Sequence, residues 1–115
     1  IVMDSATGLY RTTLEKGLGA MQNLSRQMVQ LLGYAKKYEI PVLITNQVYV
    51  DVQKNVFVGL GGTALAHISK AIVRIDIVNR HRKATLEKHR SLASGRSFEF
   101  DIVETGICIR HRDTK

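Results

Sequence analysis

An acidic residue, Asp4, closes the apolar run Ile1-Val2-Met3, and the small and polar residues Ser5, Ala6, Thr7 and Gly8 follow it. A carboxylate at the C-terminal end of a buried parallel strand sits where open α/β sheets bind their ligands. There it can hold a Mg²⁺-bound water beside a nucleotide phosphate; the plainer alternative is an aspartate that caps a turn. A second polar strand end, Thr45-Asn46-Gln47, follows the apolar run Val42-Leu43-Ile44. If the two strands are neighbours, these side chains lie beside Asp4. Gln47 can then hydrogen-bond a γ-phosphate or its water and relay that state into the next loop, or it can serve only to tie that loop down.

Two further groups are basic. Between Lys83 and Arg90 the cations Lys83, Lys88 and Arg90 alternate with Ala84, Leu86 and His89, and a period of two puts Lys88 and Arg90 on one strand face. Two converging cations can clamp a triphosphate; a solvated basic strand face is the competing reading. After Gln47 come Tyr49, Lys54, Phe57 and the glycines Gly59, Gly61 and Gly62. Such a stretch suits a flexible DNA contact made by backbone amides, charge and aromatic stacking, although a surface loop has the same ingredients.

Other chemistries find less support. His67, His81, His89 and His111 lack the paired spacing of a zinc site. No Gly-x-Ser-x-Gly elbow or Cys/His dyad can be assembled, which argues against a hydrolase with a covalent nucleophile. The single Cys108 cannot form an internal disulfide; within Gly106-Ile107-Cys108-Ile109 it is expected to be a small buried hydrophobe in a reducing cytoplasm.

The elements that must position these residues are legible from pattern. Leu24, Met28, Leu31, Leu32 and Ala35 recur at helical spacing between about Gln22 and Tyr38, and Lys36 and Lys37 complement the dipole of the last turn. Pro41 then opens the β-branched run Val42 to Thr45, so strand, helix and strand predict a parallel crossover. The stretch from about Val50 to Gly62 has little periodicity and reads as a mobile loop. One or two helical turns are expected from Thr63 to about Ser69. Four short strands are expected at Ala71 to Val78, Lys83 to His89, Ser97 to Val103 and Ile107 to Arg110, and His111 to Lys115 is expected to fray.

At 115 residues and 44% hydrophobic composition the chain fits one small domain with a real core. Seventeen Lys and Arg against ten Asp and Glu leave a formal charge of +7, which favours an anionic partner such as nucleic acid or nucleotide. No apolar stretch approaches the roughly 18 residues of a membrane span, and the start carries neither a basic region nor a cleavage-site pattern. A soluble protein with no membrane partner is expected. Beginning inside a strand-like run, the sequence reads as a chain cut partway through a domain.

Three segments in this order resemble the core of the RecA/RadA recombinases: Asp4-Ser5-Ala6-Thr7-Gly8-Leu9-Tyr10-Arg11, Leu43-Ile44-Thr45-Asn46-Gln47-Val48, and Gly61-Gly62-Thr63-Ala64-Leu65-Ala66-His67. The segment Leu86-Glu87-Lys88-His89-Arg90-Ser91-Leu92, with Gly95 and the later Gly106-Ile107, resembles the archaeal RadB branch more than RadA itself. The resemblance covers nearly the whole chain. It implies the C-terminal half of a RecA-like ATPase core, with parallel strands and a crossover helix followed by a β-meander, across residues 1–115.

It also implies roles. Asp4 would belong to the Mg²⁺-ATP site, Gln47 would link nucleotide state to DNA, and Lys88 and Arg90 would reach a neighbouring subunit's nucleotide in a homo-oligomer. The two DNA-facing loops would run from Arg11 to about Ala20 and from about Tyr49 to Gly62, so Arg11, Lys16, Lys54, Gly61 and Gly62 are the positions carried over. The implied function is DNA repair and homologous recombination through ATP-dependent binding of single- or double-stranded DNA, in support of the main recombinase RadA.

The sequence departs from the pattern in one respect. Its 115 residues contain no GxxxxGK[ST] loop, and no catalytic glutamate precedes Asp4. This segment by itself is therefore expected to be inactive as an ATPase, with weak DNA-dependent turnover in the intact protein. Two alternatives stand: a KaiC-like signalling ATPase of the same superfamily, and a nucleotide-independent module that binds DNA or a recombinase.

Overall fold

A computed structural model of the chain describes residues 1–6, 18–51, 53, 56–59 and 62–110. The chain divides into two compact units, Ile1–Ile68 and Ser69–Lys115.

The first unit opens with β1 (Val2–Met3) and continues in the long helix α1 (Leu18–Tyr38) and β2 (Leu43–Ile44). The helix starts earlier than its apolar spacing indicates, but its buried stripe is the expected one. Leu24 and Met28 are buried with Ala6 and Leu65, and Met3, Leu31, Ile44 and Ile68 pack around them. Glu39 ends the helix in the left-handed region at φ 52, and the Ile40 N–H donates to the Ala35 carbonyl at 3.1 Å. This closure satisfies a carbonyl that the helix leaves open, and Pro41 immediately after it prevents continuation. β1 and β2 then pair in parallel, Val2 with Leu43 and Met3 with Ile44, as the expected crossover requires.

The segment read as a structureless loop is different. β3 (Val48–Asp51) and β4 (Val56–Gly59) form an antiparallel hairpin, with Tyr49 opposite Val58 and Val50 opposite Phe57. Val48-Tyr49-Val50 and Val56-Phe57-Val58 are strong strand formers, and their pairing outweighs the glycine-rich composition that suggested a loop. The short helix α2 (Gly62–Ile68) follows, close to its expected place.

The second unit is a four-stranded antiparallel meander in the order β5 (Ile72–Val78), β6 (His81–Lys88), β7 (Ser97–Val103) and β8 (Gly106–Arg110). A two-residue connection, Asn79-Arg80, joins β5 to β6, and Asn79 takes φ 56, a conformation asparagine tolerates. Gly106 at φ 129 turns β7 into β8. Cys108 corrects an expectation: it is exposed. β8 is an edge strand and all five of its residues are exposed, so an apolar run there is not a buried one. No helix among the described residues is long and apolar enough to cross a membrane.

Candidate functional site

The C-terminal ends of β1 and β2 bring Asp4 and Thr45 together. The ladder that aligns the two strands runs from the Leu43 N–H to the Ile1 carbonyl and from the Thr45 N–H to the Met3 carbonyl, at 2.8 and 3.0 Å. It continues past the strands, where the Ala6 N–H donates to the Thr45 carbonyl at 3.0 Å. The Thr45 hydroxyl donates to Asp4 Oδ1 at 2.6 Å. The Asp4–Ser5 peptide bond is cis. Asp4 remains exposed, so this is an oriented carboxylate open to an incoming group. Among the contacts of the described residues, Thr45 is the side-chain partner of this carboxylate, at Oδ1.

Gln47 lies two residues beyond Thr45, exposed, and leads directly into β3. Gly62 is the first residue of α2 rather than part of a loop. Arg11, Lys16, Lys54 and Gly61 lie outside the described residues.

The basic pair belongs to the second unit, and there the strand reading needs correction. β6 ends at Lys88, so Arg90 is past the strand and period-two alternation does not set its face. The register explains the change. Ile72 pairs with Lys88 while Val73 pairs with Leu86, which leaves Glu87 as an extra residue on β6. Beyond Lys88 the chain turns: the Ser91 and Leu92 N–H groups both donate to His89 Nδ1, each at 3.1 Å. Lys88 is half-buried and Arg90 exposed.

Cross-strand pairing sorts the meander into two faces. One is largely apolar, running from Val73, Ile75 and Ile77 through Ala84 and Leu86 to Phe98, Phe100, Ile102, Ile107 and Ile109, with Arg82 set between Ile77 and Phe100. The other carries the ion pairs. Arg74 reaches Asp76 and Glu87, both at 2.9 Å; its hydrogen bond to Asp76 raises the guanidinium pKa, more than desolvation lowers it. Arg110 approaches His81 Nδ1 at 2.9 Å and Asp101 at 3.7 Å. His81 Nε2 lies 2.9 Å from Glu99 Oε2, yet it is the one buried side-chain polar atom among the described residues that makes no hydrogen bond. The distance permits attraction, but the alignment does not provide a directed bond.

One feature was foreseen in part and one was not. The Thr45 hydroxyl as the direct partner of Asp4 follows only from the register of β1 against β2, although the parallel crossover hinted at proximity. The acceptor role of His89 left no recognisable pattern.

Comparison with known proteins gives a consistent result. The Rad51 family model matches residues 1–108. A DNA repair and recombination protein RadB from Methanoculleus marisnigri is 58% identical over 107 residues, covering 93% of this chain and 48% of that protein. A protein of the same name from Archaeoglobus fulgidus is 42% identical over 110 residues, covering 93% and 50%. The crystal structure of the RadB recombinase superposes with a TM-score of 0.65 at 34% identity, over 84% of this chain and 44% of that one. The chain thus spans about half the length of the curated relatives it matches.

Proposed function

The chain belongs to the Rad51 family, and on that footing we propose that it is the C-terminal half of a RadB-like recombinase paralogue. Both units belong, in this reading, to one RecA-like ATPase core acting in DNA repair and homologous recombination in the cytoplasm. The observation that carries the reading is the Thr45 hydroxyl held 2.6 Å from Asp4 Oδ1 at the ends of two parallel strands, in a chain whose relatives bear the RadB name.

The donor set at this strand end suits Mg²⁺ accompanying ATP. Among the described residues no group of three or more His, Cys, Asp or Glu gathers to cage a metal, and Mg²⁺ is commonly held by one or two carboxylates, waters and substrate phosphates. Asp4 would hold the ion, with Thr45 fixing the carboxylate, and the ion would neutralise phosphate charge when nucleotide binds. Gln47 reads the phosphate end of the site and transmits it to the β3–β4 hairpin. Lys88 and Arg90 are directed at a nucleotide across a subunit boundary in a homo-oligomer. Arg11, Lys16, Lys54, Gly61 and Gly62 are the positions offered to single- or double-stranded DNA, and RadA is the partner recombinase.

The experiment is single-stranded DNA binding by the full-length protein over a salt series, with and without ATP and Mg²⁺. Affinity should fall with salt, as phosphate contacts require, and should depend on nucleotide. Affinity indifferent to nucleotide would favour an interaction module that binds DNA alone.

A further inference from the structure

We propose that His89 is a positioning residue: its imidazole holds the loop between β6 and β7 in the one conformation that presents Lys88 and Arg90 together to an oligophosphate. The loop leaves the sheet after Lys88 and returns at Ser97. Its base is closed on both sides, because the Leu86 N–H donates to the Arg96 carbonyl and the Gly95 N–H donates to the Leu86 carbonyl, both at 2.8 Å. Gly95 at φ 89 supplies the left-handed residue that this closure needs.

Inside the closed base, donors converge on a single atom. His89 Nδ1 receives the Ser91 and Leu92 N–H groups at 3.1 Å, and the Ser91 hydroxyl lies 3.4 Å away. A nitrogen addressed by two N–H donors must offer its lone pair, so the ring is neutral there and carries its proton on Nε2. Two consecutive backbone donors that a longer strand would have given to a neighbour are satisfied instead by one side chain. The imidazole thus acts as a helix cap acts: it replaces backbone partners at the point where regular structure stops.

The consequence concerns the basic pair. Lys88 is fixed on one side of His89 by its pairing with Ile72, and Arg90 is fixed on the other by the turn that the imidazole closes. Glu87, the nearest acidic residue in sequence, is engaged by Arg74 at 2.9 Å. The backbone that carries the two cations is therefore held on both sides of His89. This part rests on the reading that Lys88 and Arg90 face phosphate; the closure of the loop by His89 does not.

The test uses the full-length protein, His89→Ala, His89→Asn and the double substitution Lys88→Ala with Arg90→Ala, with inorganic triphosphate as probe. Asparagine places an amide oxygen near the position of Nδ1 and can accept the same N–H groups. Nitrogen chemical shifts should report the Nε2–H tautomer of His89, and amide exchange at Ser91 and Leu92 should be slow in the wild type, fast in His89→Ala and largely restored in His89→Asn. Triphosphate binding should weaken roughly tenfold in His89→Ala, the size of loss that removing a cap on backbone N–H groups brings, and should recover in His89→Asn. Unchanged exchange at Ser91 and Leu92 in His89→Ala overturns the closure. Fast exchange with unchanged triphosphate binding, in a protein where the double substitution does weaken binding, overturns the positioning role. Triphosphate binding indifferent to the double substitution overturns the phosphate reading of the pair and with it the positioning role, while the exchange data still decide the closure.

Discussion

Asp4 and Thr45 are 41 residues apart, and one hydroxyl–carboxylate hydrogen bond joins them. An exposed aspartate has many orientations, and fixing one in advance is what an electrostatic site of the proposed kind requires. In the full-length protein Asp4→Ala should abolish Mg²⁺-dependent ATP hydrolysis while leaving the fold intact, as judged by thermal unfolding; unchanged turnover would remove Asp4 from the site. Thr45→Val keeps shape and deletes the donor, so turnover should fall by roughly tenfold or less, the equivalent of one charge-assisted hydrogen bond in the free-energy range of about 1.5 kcal/mol. At this scale the sequence reading located both polar strand ends, because an acid or amide after an apolar run is a local signal. It did not find His89, whose acceptor role depends on a turn three residues long with no distinctive composition.

Elements are held by unequal means. Met28 is 2% exposed in the middle of α1, and Met28→Ala removes packed volume from the small core of the first unit. A destabilisation of about 2–5 kcal/mol is expected in urea unfolding of the full-length protein. Arg74, by contrast, makes its two ion pairs with 38% of its side chain exposed, so screening reduces their worth and Arg74→Ala should cost less than about 1 kcal/mol. Equal losses would mean that the core assignment is wrong. The same inequality explains what was legible. Helix α1 announced itself through Leu24, Met28 and Leu31, and the meander through its turn residues, since burial and backbone conformation both leave periodic marks. The β3–β4 hairpin was missed because its glycine-rich surroundings obscured two triplets of valine around an aromatic residue, Val48-Tyr49-Val50 and Val56-Phe57-Val58, whose strands pair with each other. Cys108 was misplaced because sequence does not distinguish an edge strand from a central one.

At the scale of the whole molecule, the meander presents an apolar face on which Ile75, Ile77 and Ile107 are 60%, 71% and 68% exposed. So many exposed large apolar side chains on one sheet face, even with Arg82 among them, are uncommon on an isolated soluble domain. Residues 1–115 produced alone should therefore self-associate in a concentration-dependent way in sedimentation, and Ile75→Lys with Ile107→Lys should reduce that association; a monodisperse unsubstituted segment would contradict the expectation. Family membership rests on 108 matched residues, whereas the activity of the longer protein is an inference from Asp4, Thr45 and Gln47 on the first unit and Lys88 and Arg90 on the second. That inference separates a recombinase paralogue from a signalling ATPase of the same superfamily by one property, the response of ATP turnover to DNA. Steady-state ATP hydrolysis by the full-length protein should rise when single-stranded DNA is added at fixed Mg²⁺ and low salt, and the rise should vanish in Asp4→Ala; turnover that DNA leaves unchanged would contradict the recombinase account.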